Sequence, residues 1–158
     1  MSFVSEKNNY ESRLCPTLPR LATAIIELPD GVLMTASQSG RFNLPGGASQ
    51  RGELRSQALL RHIREQTGLR INTMLYLFDH VTPHNAHKVY LAIAQGAPRL
   101  QEAGSRMTLI TSPDTETDVH VESRAILRRY AKVRGEQGPK SEAVRAMLQL
   151  ARYIAKVE

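Results

Sequence analysis

The sequence has a single cysteine and no apolar run long enough to cross a membrane. Cys15 has no second cysteine with which to form an internal disulfide bond. No charged start followed by a long apolar run marks a signal peptide, and we find neither an internal repeat nor a low-complexity tract. These features predict a soluble protein of the reducing cytoplasm.

The composition predicts one compact domain. A chain of 158 residues that is 41% hydrophobic can bury one core but hardly two. It carries 21 lysines and arginines against 15 aspartates and glutamates, a formal net charge of +6. A basic protein favours an anionic partner such as a nucleotide, a polyphosphate or RNA.

Hydrophobic patterning divides the chain into three parts. Residues 1–17 are polar and predict a poorly ordered leader or an edge segment. Residues 18–134 predict the main domain, and 135–158 a C-terminal helix that packs on the domain or extends it. Between Val121 and Glu158 there are nine basic and four acidic residues, so much of the excess charge lies there.

Within the domain, apolar and β-branched runs predict strands, and periodic segments predict helices. A turn at Pro29-Asp30-Gly31 joins the first two strands. The predicted strands are 21–28, 32–36, 71–81, 88–94 and 107–111, and the predicted helices are 54–67, 121–132 and 141–157. Ser141 is the expected N-cap of the last helix, whose apolar stripe favours packing in the core or in a dimer.

Residues 42–69 carry the chemistry. Pro45-Gly46-Gly47 predicts a sharp turn whose backbone can closely approach a ligand, and Glu53 follows Gly52. His62, Glu65 and Gln66 stand at i, i+3 and i+4 of a helix, so they share a face. Oxygen ligands on such a face, with a carboxylate and carbonyls from the preceding loop, are suited to Mg²⁺.

The same stretch resembles the Nudix box, G-x5-E-x7-R-E-U-x-E-E-x-G-U, where U is apolar. The matching positions lie in one register and are Gly47, Glu53, Arg61, Ile63, Glu65, Gly68 and Leu69. The preceding residues 42–47 resemble the family's lead-in. The resemblance covers about residues 18–134 and identifies the chain as a MutT-like member with a degenerate box.

The resemblance implies an α+β fold in which a mixed β-sheet lies between helices. It also implies a pyrophosphohydrolase that cleaves the diphosphate of a nucleoside diphosphate derivative, with Mg²⁺ or Mn²⁺ neutralising the phosphate oxygens. On that basis Glu53, Arg61 and Glu65 are the expected catalytic residues, with Arg61 orienting a box glutamate. The expected metal site comprises Gly47, Glu53, His62, Glu65 and Gln66.

Two positions depart from the box. His62 stands where the family has a glutamate, and Gln66 replaces the second glutamate of its Glu-Glu pair. Imidazole suits transition metals better than Mg²⁺, and an amide is a weak ligand for a hard cation. We therefore expect weakened metal dependence or the use of another divalent cation. Leu54 also replaces a usual capping residue, so Ser56 is a candidate cap.

Outside the box the sequence offers weaker candidates. Glu102 is the one acidic residue between Asp79 and Asp114, so it is the candidate for the additional acid that the family often supplies from a loop. His80, His84 and His87 cluster around a predicted turn. We expect exposed loop histidines there, with His84 as a candidate contact for substrate phosphate.

Three functions remain open from the sequence. The first is the hydrolase. The second is a catalytically silent Nudix domain that binds a nucleotide or a partner, with His62 and Gln66 as signs of lost catalysis. The third is RNA binding through the basic C-terminal end, which would give salt-sensitive affinity without turnover.

Overall fold

The computed structural model describes residues 18–114 and 118–157. The predicted leader at 1–17 lies outside this part of the chain. In chain order the elements are β1 (Arg20–Leu28), β2 (Gly31–Ala36), β3 (Gly46–Ala48), α1 (Arg55–Thr67), β4 (Arg70–Val81), β5 (Ala86–Gln95), β6 (Arg106–Ile110), α2 (Val121–Gly135) and α3 (Pro139–Val157). Every strand and helix predicted from the sequence is present, and β3 is an additional short strand.

The strands form one mixed sheet in the order β4-β5-β1-β2-β6, with β3 paired to β1. β1 runs parallel to β5 and antiparallel to β2 and β3. Along one edge of β1, Leu21, Ala22 and Thr23 pair with β3, while Glu27 and Leu28 pair with β2. β3 and β2 therefore pair with opposite ends of the same edge of β1.

Alternation along β1 explains how the sheet is covered on both faces. Ala22, Ala24 and Ile26 pack with Leu59 and Ile63 of α1. The core on the other face contains Ile25 of β1, residues of β4 and β5, and apolar residues of α2 and α3: Ile126, Leu127, Tyr130, Val144 and Leu148. The expected mixed sheet between helices is confirmed.

Two helix caps differ from the sequence prediction. The N-cap of α1 is Leu54, and its backbone N–H is satisfied by Oε1 of Gln57 at 3.0 Å, so Ser56 is not the cap. α3 begins at Pro139 rather than at Ser141. The Ser141 hydroxyl is buried and donates to the carbonyl of Val133 at 2.6 Å, which ties α3 to the end of α2.

No helix within the described residues is long and apolar enough to cross a membrane.

Candidate active site

Glycine is required at Gly46 because β3 lies directly against β1. Gly46 has a φ of 144°, and a Cβ there would lie 2.0 Å from the carbonyl oxygen of Ala22. Gly47 needs the absence of a side chain for another reason, since a Cβ would meet the His62 ring at 2.5 Å. The two glycines thus let β3 fit between β1 and α1.

Arg61 joins the two glutamates that the box retains. Its Nε and Nη2 donate to the two carboxylate oxygens of Glu53 at 3.0 and 2.9 Å, and its Nη1 lies 3.6 Å from Glu65. The hydrogen bonds from Arg61, followed by that from the N–H of Gln50, lower the pKa of Glu53 to about 2. Glu53 is therefore an anion whose charge Arg61 already balances.

The two substituted box positions both bind the backbone of β3. Gln66 accepts the N–H of Gly46 at 3.2 Å and donates to the Gly46 carbonyl at 2.9 Å. Nε2 of His62 lies 2.8 Å from the carbonyl oxygen of Ala48. Because a carbonyl only accepts, His62 must donate from Nε2. We call His62 and Gln66 together the β3 clamp.

This arrangement does not fit the carboxylate-rich Mg²⁺ site of the box. Glu53 is held by Arg61, and both amide atoms of Gln66 are engaged by Gly46. Across residues 18–114 and 118–157, no three His, Cys, Asp or Glu side chains come together in a way that could hold a metal ion. A hard divalent cation needs more anionic oxygens than these box residues present.

A cavity of about 730 Å³ opens beside the box. Gly47, Glu65, Gln66 and Glu102 line it, so four of the expected site residues share one space. Glu53, Arg61 and His62 are not among its lining residues. His84 is exposed in the turn between β4 and β5, where it also lies outside the cavity lining.

Positive charge borders the same cavity. Arg41 and Arg106 both line it. The Arg106 guanidinium lies 4.9 Å from the Phe42 ring centroid and 3.7 Å from a carboxylate oxygen of Asp118. Arg106 also donates to the backbone carbonyls of Ser37 and Gly40, so its guanidinium is held in place. Arg41 is exposed and makes this part of the cavity suitable for an anionic group such as a diphosphate.

Another wall contains polar residues that the sequence reading missed. The cavity lining includes Thr23 of β1, Asn85 and His87 at the start of β5, and His120 and Glu122 at the start of α2. The expectation that His87 is an exposed loop residue is wrong, because it is only 8% exposed. The sequence does contain one indication of this burial. His87 lies two and four residues before Val89 and Leu91 in β5, so its side chain lies on the same face of the sheet as these two buried residues.

Contacts within this wall set the charge of its groups. Burial disfavours ionised Glu122, but hydrogen bonds from Thr82 and Asn85 and the nearby His87 outweigh that effect and lower the pKa of Glu122. Burial lowers the pKa of His87, although Glu122 partly opposes the shift. His87 Nδ1 lies 2.8 Å from the Thr23 hydroxyl.

Comparison with known proteins points to one family. The NUDIX domain model matches residues 17–104. A solved nudix hydrolase family member from Chromobacterium violaceum is 66% identical, with a TM-score of 0.84 over 90% of this chain and 97% of that one. No curated protein sequence matches the chain.

More distant structures share the fold alone. A MutT NUDIX hydrolase from Burkholderia pseudomallei is 24% identical, with a TM-score of 0.61 over 71% of this chain and 97% of that one. A Streptococcus suis protein described as an ADP-ribose pyrophosphatase is 14% identical, with a TM-score of 0.61 over 77% of this chain and 96% of that one.

Proposed function

Because the chain belongs to the Nudix family, we propose that it hydrolyses the diphosphate of a nucleoside diphosphate derivative, with a weakened or altered dependence on divalent cations. The observation that carries this proposal is the position of the box. Its Gly47 and Glu65 form part of the wall of a cavity of about 730 Å³, which is within the usual range for small-ligand sites.

The charges around the cavity support diphosphate binding. Arg41 offers its guanidinium group to the phosphate oxygens, and the arginine geometry suits such oxygens well. Arg106 adds positive charge to the wall, but its guanidinium already donates to the carbonyls of Ser37 and Gly40.

Among the carboxylates that line the cavity, Glu65 and Glu102 are the candidates to accept a proton from the attacking water, because the oxygens of Glu122 already accept from Thr82 and Asn85. Glu53 is a poor base because its pKa is about 2.

Arg61 then acts by positioning rather than by touching substrate. It holds Glu53 in a two-point contact and lies near Glu65. If Mg²⁺, Mn²⁺ or another divalent cation is used, it would bind beside Glu65, with the Gly47 carbonyl as a second oxygen ligand. Weak metal dependence is expected because His62 and Gln66 supply no carboxylate there and both bind the backbone of β3.

The β3 clamp favours a second candidate, a catalytically silent module that binds a nucleotide. His62 and Gln66 hold β3 through neutral hydrogen bonds at positions where the family has carboxylates. Binding a nucleotide in the adjacent cavity does not require a metal ion, whereas cleavage of its diphosphate calls for an ion to neutralise the phosphate oxygens.

One panel of assays separates the two candidates. The protein is incubated with nucleoside diphosphate derivatives, including ADP-ribose because of the Streptococcus suis neighbour, in Mg²⁺, Mn²⁺ or Zn²⁺. Products are measured by chromatography and binding by calorimetry. Turnover of any of these substrates with any of the three metal ions supports the hydrolase. Binding without turnover under every metal removes the hydrolase and supports the silent module.

Restoring the box carboxylates tests the altered metal dependence. In the double variant His62→Glu with Gln66→Glu, a carboxylate replaces the Gln66 amide that donates to Gly46. We expect the unfolding free energy without metal to fall by about 1–3 kcal/mol. Affinity for Mg²⁺ should rise at least about tenfold, because two anionic ligands are added, and turnover should rise with it.

Gln57→Glu is the matched control on the same helix. Gln57 is exposed, and its side-chain oxygen accepts from Leu54, a bond that a glutamate can keep. This substitution should leave both stability and Mg²⁺ affinity unchanged. A double variant with unaltered Mg²⁺ affinity and an unaltered or lower rate would contradict the account of weakened metal dependence.

A further inference from the structure

Helix α3 carries apolar residues on two of its faces. One face packs in the core of the domain through Val144 and Leu148. The other consists of four residues at intervals of three, four and three, which places them along one line of the helix: Ala143, Ala146, Leu150 and Tyr153. Leu150 is 44% exposed and Tyr153 is 67% exposed. We call this line the outer stripe, and the monomer leaves its large side chains in water.

Contacts with the rest of the domain fix the rotation of α3. The Ser141 hydroxyl donates to a carbonyl at the end of α2 at 2.6 Å, and Nη1 of Arg145 donates to two further carbonyls there at 3.2 and 3.1 Å. On the side of the sheet, Nζ of Lys140 donates to the carbonyl of Leu77 in β4. Rotating α3 to bury the outer stripe would break these contacts, so the stripe stays on the outside.

The spacing of the outer stripe is that of a helix-pairing seam. Apolar residues at alternating intervals of three and four occupy the contact positions when two helices pack side by side. The first two residues of the stripe are small and the last two are large. When two copies of α3 run antiparallel about a two-fold axis, Ala146 lies opposite Leu150, and Ala143 lies opposite Tyr153. Each large side chain then meets a small one, which lets the two helices pack closely.

Polar residues beside the outer stripe favour the same arrangement. Glu142, Gln149 and Lys156 repeat at intervals of seven, and all three are exposed. Because residues at this flanking position face each other in an antiparallel pair, Glu142 of one copy lies opposite Lys156 of the other at both ends. Gln149 lies opposite its own symmetry mate, where two amides can hydrogen-bond. A parallel pair would instead set Tyr153 against Tyr153 and would form neither ion pair.

The outer stripe is separate from the candidate active site. None of the described residues of α3 lines the cavity of about 730 Å³ beside the box. A contact made through the outer stripe therefore leaves that cavity open.

We propose that the outer stripe is the interface of an antiparallel homodimer. The occupant is a second copy of this chain, because the order of small and large residues and the pairing of Glu142 with Lys156 are both self-complementary. A contact confined to one helix of each copy lies at the small end of specific interfaces, so we expect a dissociation constant of about 10–100 µM. The inference does not depend on the proposed function.

Sedimentation velocity between about 1 and 500 µM tests the dimer. The wild type should pass reversibly from monomer to dimer over this range. Leu150→Glu would bury a carboxylate from each copy in the seam and should weaken dimerisation at least about tenfold. Leu60→Glu is the matched control, since Leu60 is 42% exposed on α1 and lies outside the outer stripe. It should keep the wild-type dissociation constant.

Charge reversal tests the antiparallel arrangement. Lys156→Glu would set two carboxylates opposite each other at both ends and should weaken the dimer about three- to tenfold at low salt. The double variant Glu142→Lys with Lys156→Glu restores opposite charges and should return the dissociation constant to within about twofold of the wild-type value. Arg152→Glu makes the same change of charge at an exposed position of α3 outside these pairs and should not weaken the dimer.

Circular dichroism checks that the variants fold. The substituted side chains are exposed, so each variant should unfold near the wild-type temperature at about 1 µM, where the wild type is monomeric. Should Leu150→Glu not fold, Tyr153→Ser answers the same question. It removes an exposed ring from the seam and should weaken the dimer at least about fivefold.

Three outcomes would overturn the inference. They are a wild type that stays monomeric up to about 500 µM, a dimer that Leu150→Glu leaves unchanged, and a double variant that does not recover the affinity lost in Lys156→Glu. A monomeric wild type that binds phosphatidylserine vesicles through Leu150 would replace the second copy by a lipid surface. Because α3 lies outside the cavity lining, turnover in the metal panel is decided separately from all of these results.

Discussion

Individual residues of the box differ in whether their environment leaves them free to react. Glu53 and Glu65 are both retained carboxylates, yet Arg61 makes a two-point contact with Glu53 and only a 3.6 Å approach to Glu65. The box sequence predicts that Arg61 orients a glutamate. Which glutamate it holds is decided by the loop before α1, where Gln50 and Glu53 hydrogen-bond to each other and the Glu53 carboxylate meets Arg61.

Arg61→Ala tests how far this contact controls Glu53. Without the guanidinium, the pKa of Glu53 should rise from about 2 toward its ordinary value of 4.5, because the hydrogen bonds from Arg61 are the largest cause of its shift. Titration followed by carboxyl ¹³C NMR measures this directly. Arg128→Ala, which removes the partner of Asp114, should leave Glu53 unaffected. A Glu53 pKa that stays near 2 would contradict the assignment.

At the scale of elements, α1 and β3 behave as one unit. Their contacts include Gln66 with Gly46 and His62 with Ala48, and the Gly47 backbone lies against the His62 ring. The helical period of 54–67 predicts α1 and its buried face. It does not predict β3, because a three-residue strand forms only where β1 supplies its hydrogen-bond partners.

Gly47→Ala should loosen this unit. The new Cβ would lie 2.5 Å from the His62 ring, so the ring must move away from the carbonyl of Ala48. Losing that hydrogen bond should lower the unfolding free energy by about 1 kcal/mol in urea titrations.

Two further variants control this prediction. Gly135→Ala adds a methyl group where nothing lies within 4 Å and should not destabilise the protein. Because His62→Ala removes the clashing ring, it should make Gly47→Ala nearly neutral when the two are combined. An equally large loss from Gly47→Ala in both backgrounds would show that the His62 contact is not the cause.

The whole molecule should lose stability in mild acid because its fold buries histidine. Burial holds the pKa of His87 below its ordinary value of 6.5, and the pKa of His80 is also lowered, by burial and by Arg129. The folded state thus disfavours protonation of these rings. Their contribution is complete above pH 6.5 and is lost as the pH falls through the folded-state pKa values. Glu122, with its lowered pKa, stays ionised over this range.

His87→Gln should flatten this acid dependence. The groups facing His87 are Thr23, Glu122, His120 and His80, so a glutamine removes one of several coupled charges. We expect the slope of unfolding free energy between pH 6.5 and 5 to decrease by up to about 1.4 kcal/mol per pH unit. Urea titrations at several pH values measure it. His84→Gln, at an exposed turn residue, should keep the wild-type slope.

The contacts within the described residues do not test the predictions about RNA binding, a dimer or the location in the cell. The basic C-terminal segment predicts RNA binding, and the apolar stripe of α3 allows a dimer, although Val144 and Leu148 of that stripe pack in the core of the monomer. These interpretations, like the cytoplasmic location, remain predictions.

The sequence alone determined the family, the order of strands and helices, and the pairing of Arg61 with a glutamate, because these depend on spacings within one short segment or on local periodicity. Tertiary structure decided what the substituted residues contact. Gln66 meets Gly46 across 20 positions, and His87 meets Thr23 across 64. These contacts depend on β1 pairing with β3 and, in parallel, with β5. Local sequence patterns do not encode which distant strands become neighbours.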